Sequence, residues 1–268
     1  VVDGGGPFLD RPGAPPRTRA DGLAWVLFAL LGFVAGEVAG VAVVFGVAAA
    51  LGQVNNLTAI TKESVPPEWY IAATLVGLWI GFFGAAWLGS LARGTRHLVA
   101  DLGIRFRPID VLGVVIGVGG QGLVTLMYEP FIHNIHNFNG PTTKLTGSSH
   151  GGGFVLIALL TVVGAPFVEE VFFRGLLLKG LLRLCAPTRV GPSAARTAGI
   201  VGAIVLDGVI FGLLHGELVQ LAGLATFGIV LAAISYRTGR LGMNMVSHAS
   251  FNAVAIVSVL NSRGGVIH

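Results

Sequence analysis

LAWVLFALLGFVAGEVAGVAVVFGVAAALG, residues 23 to 52, carries a single charge, Glu37, in a run well beyond the roughly 20 apolar residues that span a bilayer. A secretory leader has an apolar core of only about 7–15 residues, so the run reads as a retained membrane helix despite the small residues near its end. Further apolar runs follow at about 70–92, 111–131, 154–178, 197–214, 218–236 and 241–260. Apolar residues make up 53% of the chain and charged residues 11%, with a mean hydropathy of +0.80. A soluble domain carries about 25% charged residues, so this class is excluded. The expected fold is an all-α, polytopic transmembrane helix bundle of seven spans, or eight if the basic segment near 95–107 inserts.

Around the spans, the chain divides by composition. Residues 1–22, rich in Gly, Pro and Arg, read as a disordered cytoplasmic tail. Residues 23–149 supply N-terminal spans and a basic interfacial segment, 150–262 a second helix bundle, and 263–268 a short C-terminal tail. The single cysteine, Cys185, excludes a disulfide framework within the chain.

The net charge of +4 sorts by topology. Thirteen of the 17 basic residues fall in segments on the N-terminal side of the membrane, against Lys62, Lys144 and Arg263 on the other, with Arg174 inside a span. This asymmetry places the N-terminus inside and the C-terminus outside an integral protein of the cell membrane, and makes nucleic acid an unlooked-for partner. Glycines four residues apart, Gly32/Gly36/Gly40, Gly113/Gly117 and Gly208/Gly212/Gly216, mark expected close helix contacts, since small residues let backbones approach in lipid. No internal repeat is visible, which disfavours a transporter.

One span breaks the apolar rule. VEEVFFRG, residues 168–175, sets two carboxylates and a guanidinium in the fourth run. A charge at the bilayer centre costs about 2.5–3.5 kcal/mol. Glu170 and Arg174, four apart, share a helix face and can neutralise each other. Glu169, turned by about 100°, is left over to face a polar cavity. His215, at the end of IFGLLHG, follows Phe211 by four; His248 and Asn252, in SHASFNA, also share a face. A carboxylate, two histidines and a carboxamide from three helices are parts for hydrolysing an amide. The acid can activate water, and the imidazole and carboxamide can donate to an oxyanion.

These three stretches resemble the EExxxR, FxxxH and HxxxN motifs of the CAAX-prenyl-protease and bacteriocin-immunity family of intramembrane glutamate-type endopeptidases. YRTGRLGMNMVSHASFN is also similar to the run preceding that family's last motif. The resemblance covers about residues 150–260. It implies an endopeptidase cutting a membrane protein or peptide, lipidated or not, near its C-terminus. It further implies Glu169 as the water-activating base helped by His215, His248 with Asn252 as the oxyanion site, and Glu170 with Arg174 as the structural pair. Phe211 reads as packing that orients a neighbour, and Asp207 as an acid that either orients His215 or lines a watery cavity.

Competing readings stay in view. A non-catalytic immunity or scaffold protein could bind a peptide or partner in the same cavity. Zinc could sit on Glu169, His215 and His248, or on His133, His136 and His150 in an outer loop, but no HExxH arrangement is present, and the expected cofactor is none. Glu37 and Glu129 receive no role. Counted from Cys185, Glu169 lies about 24 Å above the inner side, while His248 lies only about 12 Å above Arg240. The two depths conflict unless helices tilt or start at different levels.

Overall fold

Thr18 starts the first helix. Its hydroxyl accepts from Asp21 N–H, and the Asp21 carboxylate accepts from Thr18 N–H at 2.8 Å, so both ends of the first turn are satisfied. In the computed structural model, which describes residues 18–63, 66–130, 151–185, 194–216 and 218–264 (side chains to 261), helix α1 therefore runs Arg19–Ala50. It takes in the last residues assigned to the tail from sequence. The remaining tail, His133, His136, His150 and Glu217 lie outside the described residues.

The other spans are α2 (Glu68–Arg93), α3 (Pro108–Tyr128), α4 (Gly151–Cys185), α5 (Ala194–Leu214), α6 (Leu221–Thr238) and α7 (Gly242–Gly264). Seven helices are long and apolar enough to cross a membrane, and no strand occurs among the described residues. The basic segment adds no eighth span. It forms a five-residue helix, Leu98–Leu102, folded under the ends of α2 and α4. There the Asp101 carboxylate accepts from Ser90 Oγ (2.7 Å), Thr95 N–H (2.7 Å) and Thr95 Oγ1 (2.8 Å).

Packing follows an inside-out logic suited to lipid. Along α1 the buried face is Gly22, Trp25, Ala29, Gly32, Gly36 and Gly40, while Leu27, Leu30, Val34, Val38, Val41 and Phe45 face outward. Lipid tails solvate large aliphatic chains as well as protein does, so the interface goes to residues that let backbones touch. A methyl group on Gly77 would strike the Gly40 backbone, and one on Gly81 would strike Gly32 O and the Gly36 backbone. Gly113 and Gly117 press in the same way on α7, against Met243, Ser247 and Ser250, and Gly208 and Gly212 on α6, against Ala225 and Ile229. Gly216 does not belong to its ladder. It adopts φ +69° just past α5, with open space where a Cβ would be, and so ends the helix rather than packing it.

The large side chains gather where α2, α4, α5 and α7 meet. Phe82 stacks on Phe172 (3.8 Å between centroids), Phe172 meets Phe173 edge-on (5.1 Å), and Phe173 meets Phe211 (5.1 Å). This aromatic file leads directly to the histidines.

The conflict of depths resolves at the end of the bundle that holds Lys179 and Arg240. A Cβ on Gly103 would meet Gly239, Arg240 and Lys179, Lys179 Nζ donates to Asp101 O, and Leu241 N–H donates to Gly103 O (2.9 Å). Lys179, not Cys185, is therefore level with Arg240, and α4 runs on beneath that layer. Measured from Lys179, Glu169 rises about 15 Å, close to the roughly 12 Å of His248 above Arg240.

Candidate active site

Helix α4 is not a uniform α-helix. Wide, π-type turns occupy Leu160–Gly164 and Val171–Leu177, and the α-helical segment Ala165–Glu170 lies between them. Single π turns inside helices are uncommon and concentrate at functional sites. Here they bracket both glutamates.

Glu170 is fully buried and has every oxygen engaged. Its Oε1 accepts from Arg174 Nη1 (3.0 Å) and faces His248 Nδ1 (3.0 Å), and Oε2 accepts from Asn244 Nδ2 (3.2 Å). Arg174, equally buried, also donates Nη2–H to Gly228 O on α6 (3.0 Å) and lies over the Phe211 ring (4.4 Å). The helical spacing of four thus yields the neutralising pair read from sequence. The pair in turn ties α4 to α6 and α7.

Asp207 is placed differently from the sequence reading. Its Oδ2 lies 3.4 Å from Arg174 Nε, with both side chains fully buried, and it does not orient His215. The reason is height: eight residues put about 12 Å of rise and only about 80° of rotation between the two, so both meet α4, Asp207 at Arg174 and His215 at Glu169. His215 is oriented by its own helix instead, with Nδ1 at 2.7 Å from Phe211 O. Phe211 therefore serves twice, its carbonyl fixing one imidazole while its ring packs on His215 (4.5 Å) and His248 (5.6 Å).

Glu169 turns the other way from Glu170. Its Oε2 lies 3.8 Å from His215 Nε2 and 3.8 Å from His248 Nε2. The Glu169 side chain is 15% exposed, His215 30% and His248 4%, so the trio opens on the His215 side. Asn252, one turn beyond His248, donates Nδ2–H to Thr161 O on α4 (2.8 Å).

Sequence reasoning missed Asn244. It is fully buried and binds both Glu170 and Leu231 O (2.7 Å). Its signal was available, because Asn244, His248 and Asn252 recur at four-residue intervals and so form one polar stripe on α7.

The tautomers follow from the partners. A carbonyl oxygen only accepts, so His215 Nδ1 carries the hydrogen toward Phe211 O. His248 Nδ1 faces a carboxylate and likewise donates. In the neutral rings both Nε2 atoms are then bare lone pairs, aimed with Glu169 Oε2 at one small space. No group of three His, Cys, Asp or Glu side chains among the described residues is arranged as a metal site. On the α2 side of α4, an apolar groove of about 480 Å³ is lined by Val76, Trp79, Phe83 and Phe167 among others.

The fold defines an integral, all-α membrane protein, and its carboxylate–histidine cluster lies on helices long and apolar enough to cross a membrane. Residues 151–254, which hold every motif residue described above, match the family model for type II CAAX prenyl endopeptidase Rce1-like proteins. The match agrees with the resemblance carried by the three motifs and supports a CAAX-protease type of membrane endopeptidase. Neither the curated proteins nor the solved structures gave a match to the chain.

Proposed function

We propose that this protein is a glutamate-type intramembrane endopeptidase that hydrolyses a peptide bond near the C-terminus of a membrane-associated protein or peptide. One observation carries the reading: Glu169 Oε2, His215 Nε2 and His248 Nε2 converge with no donor among them. Three acceptors cannot satisfy one another, but a water molecule or a shared proton can satisfy them. A water held there has a base beside it and a scissile carbonyl within reach of the open His215 side.

The steps follow from the geometry. Glu169 takes one proton from water as the oxygen attacks the scissile carbonyl carbon. His248, held by Glu170 on its other nitrogen, takes up the shared proton of the cluster and donates Nε2–H to the developing oxyanion. The family resemblance gives Asn252 a share in that oxyanion site. Collapse of the tetrahedral intermediate breaks the C–N bond, and the proton on Glu169 passes to the leaving amine, directly or through His215. No step needs a bound metal, and the reading requires none.

The apolar groove beside Phe167 suits the hydrocarbon part of a substrate, either an apolar helix or a lipid chain. The charge asymmetry supports an N-terminus on the inner side of the cell membrane and a C-terminus outside.

The test is cleavage of prenylated and unprenylated C-terminal peptides, or of co-purified membrane proteins, by the full chain in vesicles. Glu169→Gln should abolish cleavage while leaving thermal stability in place; full activity in that variant would sink the reading. Activity should also survive EDTA, whereas loss that zinc restores would assign the trio to a metal.

A further inference from the structure

We propose that Asn252 is a positioning residue: it closes a gap that Pro166 leaves in α4 and so fixes the wide turn that aims Glu169. The inference adds a residue role to the endopeptidase reading and rests on that reading for its catalytic consequence.

The gap can be read from the backbone. In the wide turn at Leu160–Gly164, hydrogen bonds reach back five residues, and Ala165 N–H donates to Leu160 O. The next carbonyl in this register is Thr161 O, and its donor would be the N–H of residue 166. That residue is proline, which has none. A half-buried carbonyl without a donor is costly among apolar helices. Asn252 Nδ2 reaches across from α7 and donates to this oxygen at 2.8 Å.

Three consequences join at this contact. Pro166 is buried at the start of the segment Ala165–Glu170, so the register entering that segment sets the direction of Glu169. Asn252 lies one turn from His248 on α7. Its bond to Thr161 therefore fixes the spacing of the base on α4 relative to the histidine on α7. The two helices are also joined at Glu170 by His248 and Asn244, so Asn252 is the second point of attachment, and two points fix rotation where one cannot. Finally, the carboxamide nitrogen carries two hydrogens, so the bond of one to Thr161 O fixes the direction of the other, which keeps the oxyanion share proposed above.

A double-mutant cycle tests this. Asn252→Ala, Pro166→Ala and the double variant are made in the full chain and purified in one detergent. Alanine at 166 restores the missing N–H, so Thr161 O no longer depends on Asn252. Asn252→Ala alone should lower Tm by about 3–8 °C, and by less than half as much in the Pro166→Ala background. In cleavage assays Asn252→Ala should lower kcat at least about tenfold with KM within about twofold, and adding Pro166→Ala should recover at least about threefold. Pro166→Ala alone should stay within about threefold of the parent chain. Equal losses of Tm in both backgrounds would overturn the proposal, as would an inactive Pro166→Ala variant beside an active parent. Because the Tm cycle needs no substrate, it judges the contact even if the parent chain cleaves nothing, a result that would instead overturn the endopeptidase reading.

Discussion

The α1–α2 pair and the α4–α7 site solve the same problem by opposite means. Both must hold helices together where water exclusion gives no drive between apolar surfaces. Helices α1 and α2 do it with absence: Gly32, Gly36, Gly40, Gly77 and Gly81 let the backbones touch, and the hydrophobic bulk faces outward. The site does it with presence. Glu170, Arg174, Asn244 and His248 join three helices by hydrogen bonds, with a file of phenylalanines around them. The first region is sensitive to volume and indifferent to chemistry. The second is sensitive to a single charge. A chain that places ionisable side chains in a membrane needs the second kind, because buried charge there is costly unless paired.

Four substitutions can break or sharpen this contrast. The largest effect is expected at Glu169, whose change to Gln keeps the shape and removes the base. Cleavage should fall by about 10²–10⁴-fold with Tm unchanged, measured by peptide turnover and thermal unfolding in detergent. Arg174→Met comes next. It strands Glu170 and Asp207 without their cation, and a loss of about 3–5 kcal/mol in denaturant unfolding is expected, with activity lost alongside. A fully stable Arg174→Met protein would mean that the charge network is dispensable to the fold.

Gly81→Leu tests the other region. Its side chain would wedge against the α1 backbone, at a cost of about 1–3 kcal/mol. Turnover per folded molecule should remain within about threefold of the parent, since the contact lies away from Glu169. Loss of turnover without loss of stability would show that the two regions are coupled. The smallest effect is expected from Asp207→Asn. Because this acid faces Arg174, cleavage should change less than about threefold, with a stability loss below about 1 kcal/mol. A loss as large as that of His215→Ala would reinstate Asp207 as the group that orients the histidine.

Much of this arrangement was legible in the chain, residue by residue. The seven spans follow from length and hydropathy, since only a helix satisfies its own backbone in lipid. Glu170 and Arg174 pair because helical spacing of four gives them little choice, and Glu169 diverges for the same geometric reason. Asp207 was harder to place. Helical angle tells which face a residue occupies but not which neighbouring helix fills that face, and so its partner could not be read. Asn244 was overlooked for a related reason: an asparagine among apolar residues announces nothing until its acceptors on α4 and α6 are known. Gly216 fitted the four-residue ladder, but a spacing pattern cannot tell a packed glycine from one that ends a helix.

The sequence by itself determined a membrane-embedded helical chain and the residue types able to hydrolyse an amide, because bilayer thickness and helix pitch are properties of solvent and backbone. Only the tertiary structure decided the rest. It made Lys179 rather than Cys185 level with Arg240, bracketed the glutamates with wide turns, gave Thr161 O to Asn252, and aimed two imidazole nitrogens at Glu169. Those outcomes depend on which helix lies against which, at what height and rotation. No local spacing encodes them, because they are set by contacts between residues as far apart in the chain as Thr161 and Asn252.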